Sequence, residues 1–167
     1  MTAPDRTRTV TWQDPWIVVD AAKTQSGIDR LRAVMRGDVP SAPMAVLVGI
    51  TITDVEPGRV VFEGTAAEYH YNLGGVAHGG LACTMLDSAL GCAVTSTLPA
   101  GRSCATTDLN VRFIRPITLA SGKLRCEATI IHVGKAIGTA EATLTDAAGR
   151  LCAHGTAACA ILRETAE

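Results

Sequence analysis

A glycine-rich turn with one histidine runs directly into a long apolar stretch that holds a single acidic residue. The stretch extends from Asn72 to Leu98, and its only charged side chain is Asp87. An ionised carboxylate in apolar surroundings is costly unless a partner stabilises it. Asp87 is therefore predicted either to be a hydrogen-bonding hub that holds a dimer together or to be kept for chemistry as a general base or nucleophile.

The residues around Asp87 have the composition of a buried helix. From Leu81 to Leu98 the apolar side chains fall on every side of a helical wheel, which predicts a helix buried all round. At 18 residues with a charge in the middle, the segment is too short and too polar for a membrane span. The residues expected in the core are Leu81, Ala82, Met85, Leu86, Ala89, Leu90, Ala93 and Val94.

The spacing of the reactive groups separates them along this helix. His78 and Asp87 are nine residues apart, so at about 3.6 residues per turn their side chains point to opposite sides. Gly79 lies eight residues before Asp87, about 12 Å along the axis at roughly 1.5 Å per residue. A site that uses both ends therefore needs two copies of the chain, with Asp87 of one facing the His78-Gly79 turn of the other.

The same residues carry a family resemblance. Asn72, then His78-Gly79-Gly80, then Asp87, followed by Thr-Thr-Asp-Leu-Asn at 106–110, is a pattern that resembles the hotdog-fold acyl-CoA thioesterases of the PaaI-like, phenylacetate-pathway branch. The resemblance covers about residues 45–162. It implies hydrolysis of an acyl-CoA with a small or medium acyl group, aryl-acetyl groups included, by a homodimer that pairs further into a tetramer.

The resemblance also assigns roles to the residues. Asp87 attacks the thioester carbonyl or activates water against it, and the sequence does not choose between nucleophile and general base. The Gly79 N–H, at the positive end of the helix dipole, holds the developing oxyanion. His78 and Asn72 orient the thioester and the turn, and Thr106 positions the attacking water.

Each of these residues also has a purely structural interpretation. Gly79 and Gly80 are also expected wherever a chain turns tightly into a helix. His78 can bond to the backbone without titrating during turnover, and Thr106 is a common residue type in strands.

Five cations are candidates for the coenzyme A phosphates, with surface solvation as the alternative for each. Gly134-Lys135 resembles the pantetheine and nucleotide edge of the family, and Gly80 is a further candidate for binding the substrate. The five are Arg112, Arg115, Lys123, Lys135 and Arg163. Coenzyme A is part of the substrate, so no separate cofactor is expected, and no histidine pair suggests a metal.

Composition limits the remaining possibilities. The 167 residues fit one domain, and 47% hydrophobic residues suffice for a core. A net charge of −1 gives no reason to expect nucleic acid or an anionic membrane as partner. The N-terminus lacks the apolar region of a signal peptide, so a cytoplasmic protein is predicted. The six cysteines have no Cys-x-x-Cys pair and are expected to be reduced core residues.

The chain begins with an arm and a short helix. Residues 1–25 are polar with no clear period and are predicted to form an arm that docks on the domain. Ser26 as N-cap and Gly37 as a stop predict an extra N-terminal helix at about 26–37. This helix opens a single domain, 26–167, with its core at about 45–162.

Extended runs make up most of the rest. Alternating residues at 46–53 and 59–65, around Glu56-Pro57-Gly58, predict a β-hairpin. Four runs follow the helix, at about 103–114, 121–133, 136–145 and 150–162. The order β-β-α-β-β-β-β with short links predicts an α+β hotdog fold, an antiparallel sheet wrapped around one long central helix.

Period two divides the third strand into two faces. One face is expected to hold Thr106, Asp108, Asn110 and Arg112, and the other Thr107, Leu109, Val111 and Phe113.

Two other functions are compatible with the same fold and residues. A hotdog acyl-CoA hydratase or dehydratase also needs one acid and one histidine, but the His-Gly-Gly turn with an acid eight or nine residues later fits hydrolysis better. A non-catalytic acyl-CoA-binding regulator would need a DNA-binding helix pair, and the 25 residues before Ser26 leave no room for one.

Overall fold

A six-stranded antiparallel sheet packs around one long helix in the computed structural model, which describes residues 4–163. The first three residues of the predicted arm and the last four of the predicted domain lie outside this range. The helices are α1 (Trp16–Thr24), α2 (Gly27–Arg36), α3 (Pro43–Val48) and α4 (Gly79–Thr95). The strands are β1 (Ile50–Glu56), β2 (Arg59–Thr65), β3 (Arg102–Phe113), β4 (Lys123–Val133), β5 (Ile137–Thr145) and β6 (Leu151–Arg163).

The sheet order is β1-β2-β4-β5-β6-β3, with every neighbouring pair antiparallel. The α4 helix contacts β2 to β6, so the predicted sheet wrapped around one central helix is confirmed. None of the described helices is long and apolar enough to cross a membrane.

The cap signals of α2 act as predicted. The Ser26 side chain accepts a hydrogen bond from the Asp29 N–H at 3.3 Å, and Gly37 ends the helix with φ of 82°. A residue in the left-handed conformation commonly ends a helix, and glycine adopts this conformation without strain.

Two helices were missed. The α1 helix lies in the predicted arm, where no helix was assigned, and it leaves Trp16 and Ile17 exposed, so its apolar residues show no clean period. The α3 helix occupies the start of the predicted 46–53 strand, which in fact begins at Ile50. Its signals are Pro43 in the first turn and Gly49 at φ of 71°, the pair that commonly brackets a helix.

The α4 helix is buried on one side only. The eight residues expected in the core are all buried there. Its other side is half-buried, so the residues of one chain do not by themselves bury the helix all round as predicted. That side carries small and polar side chains: Cys83, Thr84, Asp87, Ser88, Gly91, Cys92 and Thr95.

The edge strand β3 contains a β-bulge that changes which side chains share a face. Thr106 pairs with Cys159 and Asp108 pairs with Ala158, so Thr107 is an extra residue between them. Leu109 and Val111 pack against the core. Thr106 therefore faces α4 together with them, and the prediction that it shares a face with Asp108 is wrong.

Candidate active site

The turn that opens α4 is held by His78. Its Nδ1 accepts a hydrogen bond from the Gly80 N–H at 2.9 Å, and the backbone N–H of His78 donates to the His70 carbonyl at 2.7 Å. Nδ1 is thus an acceptor, so the neutral ring carries its proton on Nε2. The imidazole thus caps the helix, and the Gly80 N–H is already hydrogen-bonded to it.

The loop before this turn is shaped by Asn72. Its Oδ1 accepts hydrogen bonds from the Gly74 N–H at 2.8 Å and the Val76 N–H at 3.4 Å. Its backbone N–H donates to the Val76 carbonyl at 2.8 Å. The side chain thus replaces a backbone acceptor inside the turn, as short Asx side chains do.

Gly79 leaves an amide open at the helix N-terminus. Its N–H has no acceptor among residues 4–163. A Cβ at this position would lie 3.0 Å from Cζ of Phe113, so the aromatic ring packs directly over the glycine. The open amide and the helix dipole together favour a negatively charged or polarised oxygen here.

A cleft of about 450 Å³ lies at this turn. His78 and Gly79 form one side, and the end of β3 with the segment after it forms the other, from Phe113 to Ile117. Arg115 brings a positive charge to a lining that is otherwise mostly apolar. Neither Phe113 nor the cleft was assigned a role from the sequence, because the contact between Gly79 and the end of β3 depends on the tertiary fold.

Asp87 lies outside this cleft, in the middle of α4. Its Oδ1 is buried and has no hydrogen-bond partner among the described residues. Cys83 and Gly91 are one turn away on either side. Burial raises the pKa of the Cys83 thiol, and the negative charge of Asp87 raises it further.

The bulge in β3 brings Thr106 to the same side of α4 as Asp87. The Thr106 hydroxyl lies 3.9 Å from the position of a Cβ on Gly91, which is one turn after Asp87. The Thr107 hydroxyl instead donates to the Ala158 carbonyl at 3.1 Å, along the sheet.

Cys104 is a thiol whose environment the sequence did not reveal. Its Sγ lies 3.3 Å from Thr95 Oγ1 and 3.4 Å from the Gly91 carbonyl oxygen. Hydrogen bonds from the Cys159 thiol and from Thr95 lower the pKa of Cys104 to about 7, and the same contact raises the pKa of Cys159. The contact between Cys104 and Cys159 depends on the pairing of β3 with β6, which no local sequence motif encodes.

The predicted coenzyme A contacts are divided between the two ends of the sheet. Arg115 lines the cleft, whereas Arg112 alternates with Phe113 along β3 and so lies on the face away from α4. The Gly134-Lys135 turn after β4 lies level with a part of β3 eight residues before Phe113. Along the strand direction, the Gly134-Lys135 turn is therefore roughly 26 Å from Phe113, at about 3.3 Å per residue.

Within one chain, the predicted site therefore consists of two separate halves. Asn72, His78 and Gly79 surround the helix N-terminus, and Asp87 with Thr106 lies two turns further along. No group of three or more metal-ligating side chains occurs among residues 4–163.

Comparison with known proteins agrees with this architecture. Residues 74–153 match the family model of the Thioesterase superfamily. Human acyl-coenzyme A thioesterase 13 is 32% identical over 111 residues, which cover 66% of this chain and 78% of that protein.

Two solved structures resemble most of this chain. A phenylacetic acid degradation-related protein from Ralstonia eutropha is 31% identical with a TM-score of 0.71, covering 78% of this chain and 98% of that chain. The PaaI protein of the E. coli phenylacetic acid degradation operon is 20% identical and shares the fold at a TM-score of 0.72, over 83% of this chain and 96% of that chain. On the family match, the relatives and the fold together, this chain belongs to the thioesterase superfamily, as a PaaI-like thioester hydrolase with the hotdog fold.

Proposed function

We propose that this protein hydrolyses an acyl-CoA with a small or medium acyl group, at a site that two chains share. The observation that carries this proposal is the separation of the two reactive features. An open amide at Gly79 and a buried, unpartnered oxygen on Asp87 lie on one helix, eight residues apart. Within one chain, the Gly79 amide and the Asp87 carboxylate are therefore too far apart to act on the same thioester.

The chemistry follows from the two groups. The thioester carbonyl oxygen accepts a hydrogen bond from the Gly79 N–H, which stabilises the negative charge that develops on that oxygen. Asp87 either takes a proton from the attacking water or attacks the carbonyl carbon itself, and both routes remain open. The C–S bond then breaks, and coenzyme A takes up a proton and leaves as a thiol. In the nucleophilic route the acyl group stays on Asp87 as an anhydride, which water then hydrolyses to the free acid. Thr106, on the same side of α4 as Asp87, orients the water.

A second chain fits the free edge of β3. This strand pairs with β6 on one side, and its other edge has no strand partner among residues 4–163. β3 runs antiparallel to α4, with Phe113 beside Gly79 and Thr106 beside Gly91. Antiparallel pairing of two β3 edges places the Phe113 end of one strand beside the Arg102 end of the other.

This pairing supports a shared site. The cleft of one chain then approaches the half-exposed side of α4 in the other, where Asp87 lies. The Gly134-Lys135 turn lies at the end of the sheet that the second chain's cleft approaches, which suits a contact with coenzyme A. The further pairing into a tetramer stays a prediction, which a solution mass measurement tests.

The direct test is release of free thiol from a panel of acyl-CoAs. Wild-type protein is expected to release thiol from at least one small or medium acyl-CoA. Hydration of crotonyl-CoA without thiol release would instead indicate the hydratase, and binding without turnover would indicate a non-catalytic acyl-CoA-binding protein. Either result contradicts the proposal.

A further inference from the structure

A second, more enclosed cavity lies on the flank of α4 beside Asp87. Its volume is about 190 Å³, and helices α1, α2 and α3, strands β1 and β2, and α4 all contribute to its wall. The lining is predominantly apolar, including Val18, Leu31, Val34, Met44, Ile50 and Phe62. On the α4 side the wall is formed by Ser88 and Cys92.

The position of this cavity relates it to the reacting group. Ser88 follows Asp87 directly, so it is displaced by only about 100° around the helix and roughly 1.5 Å along it. Cys92 lies one turn beyond Ser88 on the same flank. The carboxylate and the cavity wall are therefore on adjoining faces of one helix.

The size of the cavity suits a small apolar group. An engineered apolar cavity of about 150 Å³ is large enough to bind benzene. An open apolar pocket of this kind leaves its lining side chains without packing partners on one side. A cavity of about 190 Å³ that is kept beside a reactive carboxylate is therefore best explained by a ligand that fills it.

Most of its wall lies outside the part of the chain that matches the family model. Val18, Val34 and Met44 all precede residue 74, where that match begins. The N-terminal helices α1, α2 and α3 thus complete the wall of the cavity.

We infer that this cavity binds the distal end of the acyl group, a saturated chain or aromatic ring of about six carbons by volume. The inference rests on the proposed thioesterase function, since it places the thioester carbonyl at Asp87. Val34 and Met44 then set the length of acyl group that is accepted. Acetyl groups are too short to reach the cavity and gain nothing from it.

Two substitutions change the cavity in opposite directions. Val34→Phe fills it and is expected to lower kcat/KM for octanoyl-CoA and phenylacetyl-CoA at least about tenfold, with acetyl-CoA unchanged. Met44→Ala enlarges it through a half-exposed residue, which limits the cost to folding, and shifts the preference to longer chains. The matched control is Met35→Phe, on the same helix as Val34 but exposed and outside the lining.

Comparing octanoyl with phenylacetyl substrates shows whether the chain or the ring is the better fit. Binding of the non-hydrolysable thioether octyl-CoA, measured by calorimetry, gives a readout that needs no turnover. Val34→Phe should weaken this binding at least about tenfold, whereas Met35→Phe should not.

The two proposals fail differently. If no thioester is hydrolysed by the wild type, the proposed function is wrong, and octyl-CoA binding still tests the cavity. If thioesters are hydrolysed but Val34→Phe and Met44→Ala leave both the chain-length profile and octyl-CoA binding unchanged, the acyl group lies elsewhere and the inference is overturned.

Discussion

Replacing Asp87 with asparagine is expected to stabilise the protein and nearly abolish its activity. The Oδ1 atom is buried without a hydrogen-bond partner among the described residues, so the folded state holds a carboxylate oxygen that is poorly solvated. Asparagine keeps the shape of the side chain and removes the charge. Functional sites often retain such unfavourable groups, and removing them exchanges activity for stability.

The size of the effect follows from the cost of burial. An unsatisfied buried polar group costs about 1–3 kcal/mol, and more when it is charged. A neutral amide in the same place recovers part of that, so the free energy of unfolding should rise by about 1 kcal/mol or more. For a chain of this length each kcal/mol corresponds to a Tm increase of about 2–4 °C. Thiol release should fall by about 10²- to 10⁴-fold, the usual loss for a positioned acid or base.

Calorimetry and a thiol-release assay on the same preparations measure both effects. Asp146→Asn is the matched control, because Asp146 is also buried but accepts hydrogen bonds from the Ala148 and Arg150 N–H groups and from Arg150 Nε. That variant should have a lower Tm. If Asp87→Asn also lowers Tm, Asp87 is a hydrogen-bonding hub of the dimer; near wild-type turnover would refute its catalytic role.

Three further predictions follow from local contacts. Thr106→Val should lower kcat about tenfold or more at nearly constant KM and Tm, whereas Thr107→Val should keep kcat; the reverse order would contradict the bulged register. Gly79→Ala keeps the amide but adds a methyl 3.0 Å from the exposed Phe113 ring, which can move, so KM should rise with little change in Tm; an unchanged KM would place the substrate outside this cleft. Burial lowers the pKa of His70, so the fold favours its neutral form. Stability should therefore fall as pH drops below about 6.5, the value in the unfolded chain, and His70→Gln should flatten that part of a Tm-versus-pH curve.

Much of the fold could be predicted because its signals are local. Ser26 and Gly37 bracket α2 by capping chemistry, and the Glu56-Pro57-Gly58 turn sets the β1–β2 hairpin. The α3 helix was missed because a short run of valine and leucine fits a strand equally well. Only the pairing of β1 with β2, which starts at Ile50, decides between them.

The site could be predicted in its residues but not in its arrangement. Nothing in the sequence marks Thr107 as the extra residue of a bulge, since that depends on pairing with β6. For the same reason the face of Thr106 was assigned wrongly. The packing of Phe113 over Gly79 joins residues 34 positions apart, and no local pattern encodes it.

Mixing two inactive variants shows whether two chains share each site. One chain carries Asp87→Ala and the other Gly79→Pro, which removes the amide donor; circular dichroism and Tm must first show that the proline variant folds. In a verified heterodimer of these chains, one shared site holds both defects and the other holds neither. A shared site predicts recovery of about half the wild-type activity per dimer. If heterodimers stay as inactive as either parent, each site lies within a single chain and the proposed sharing is wrong.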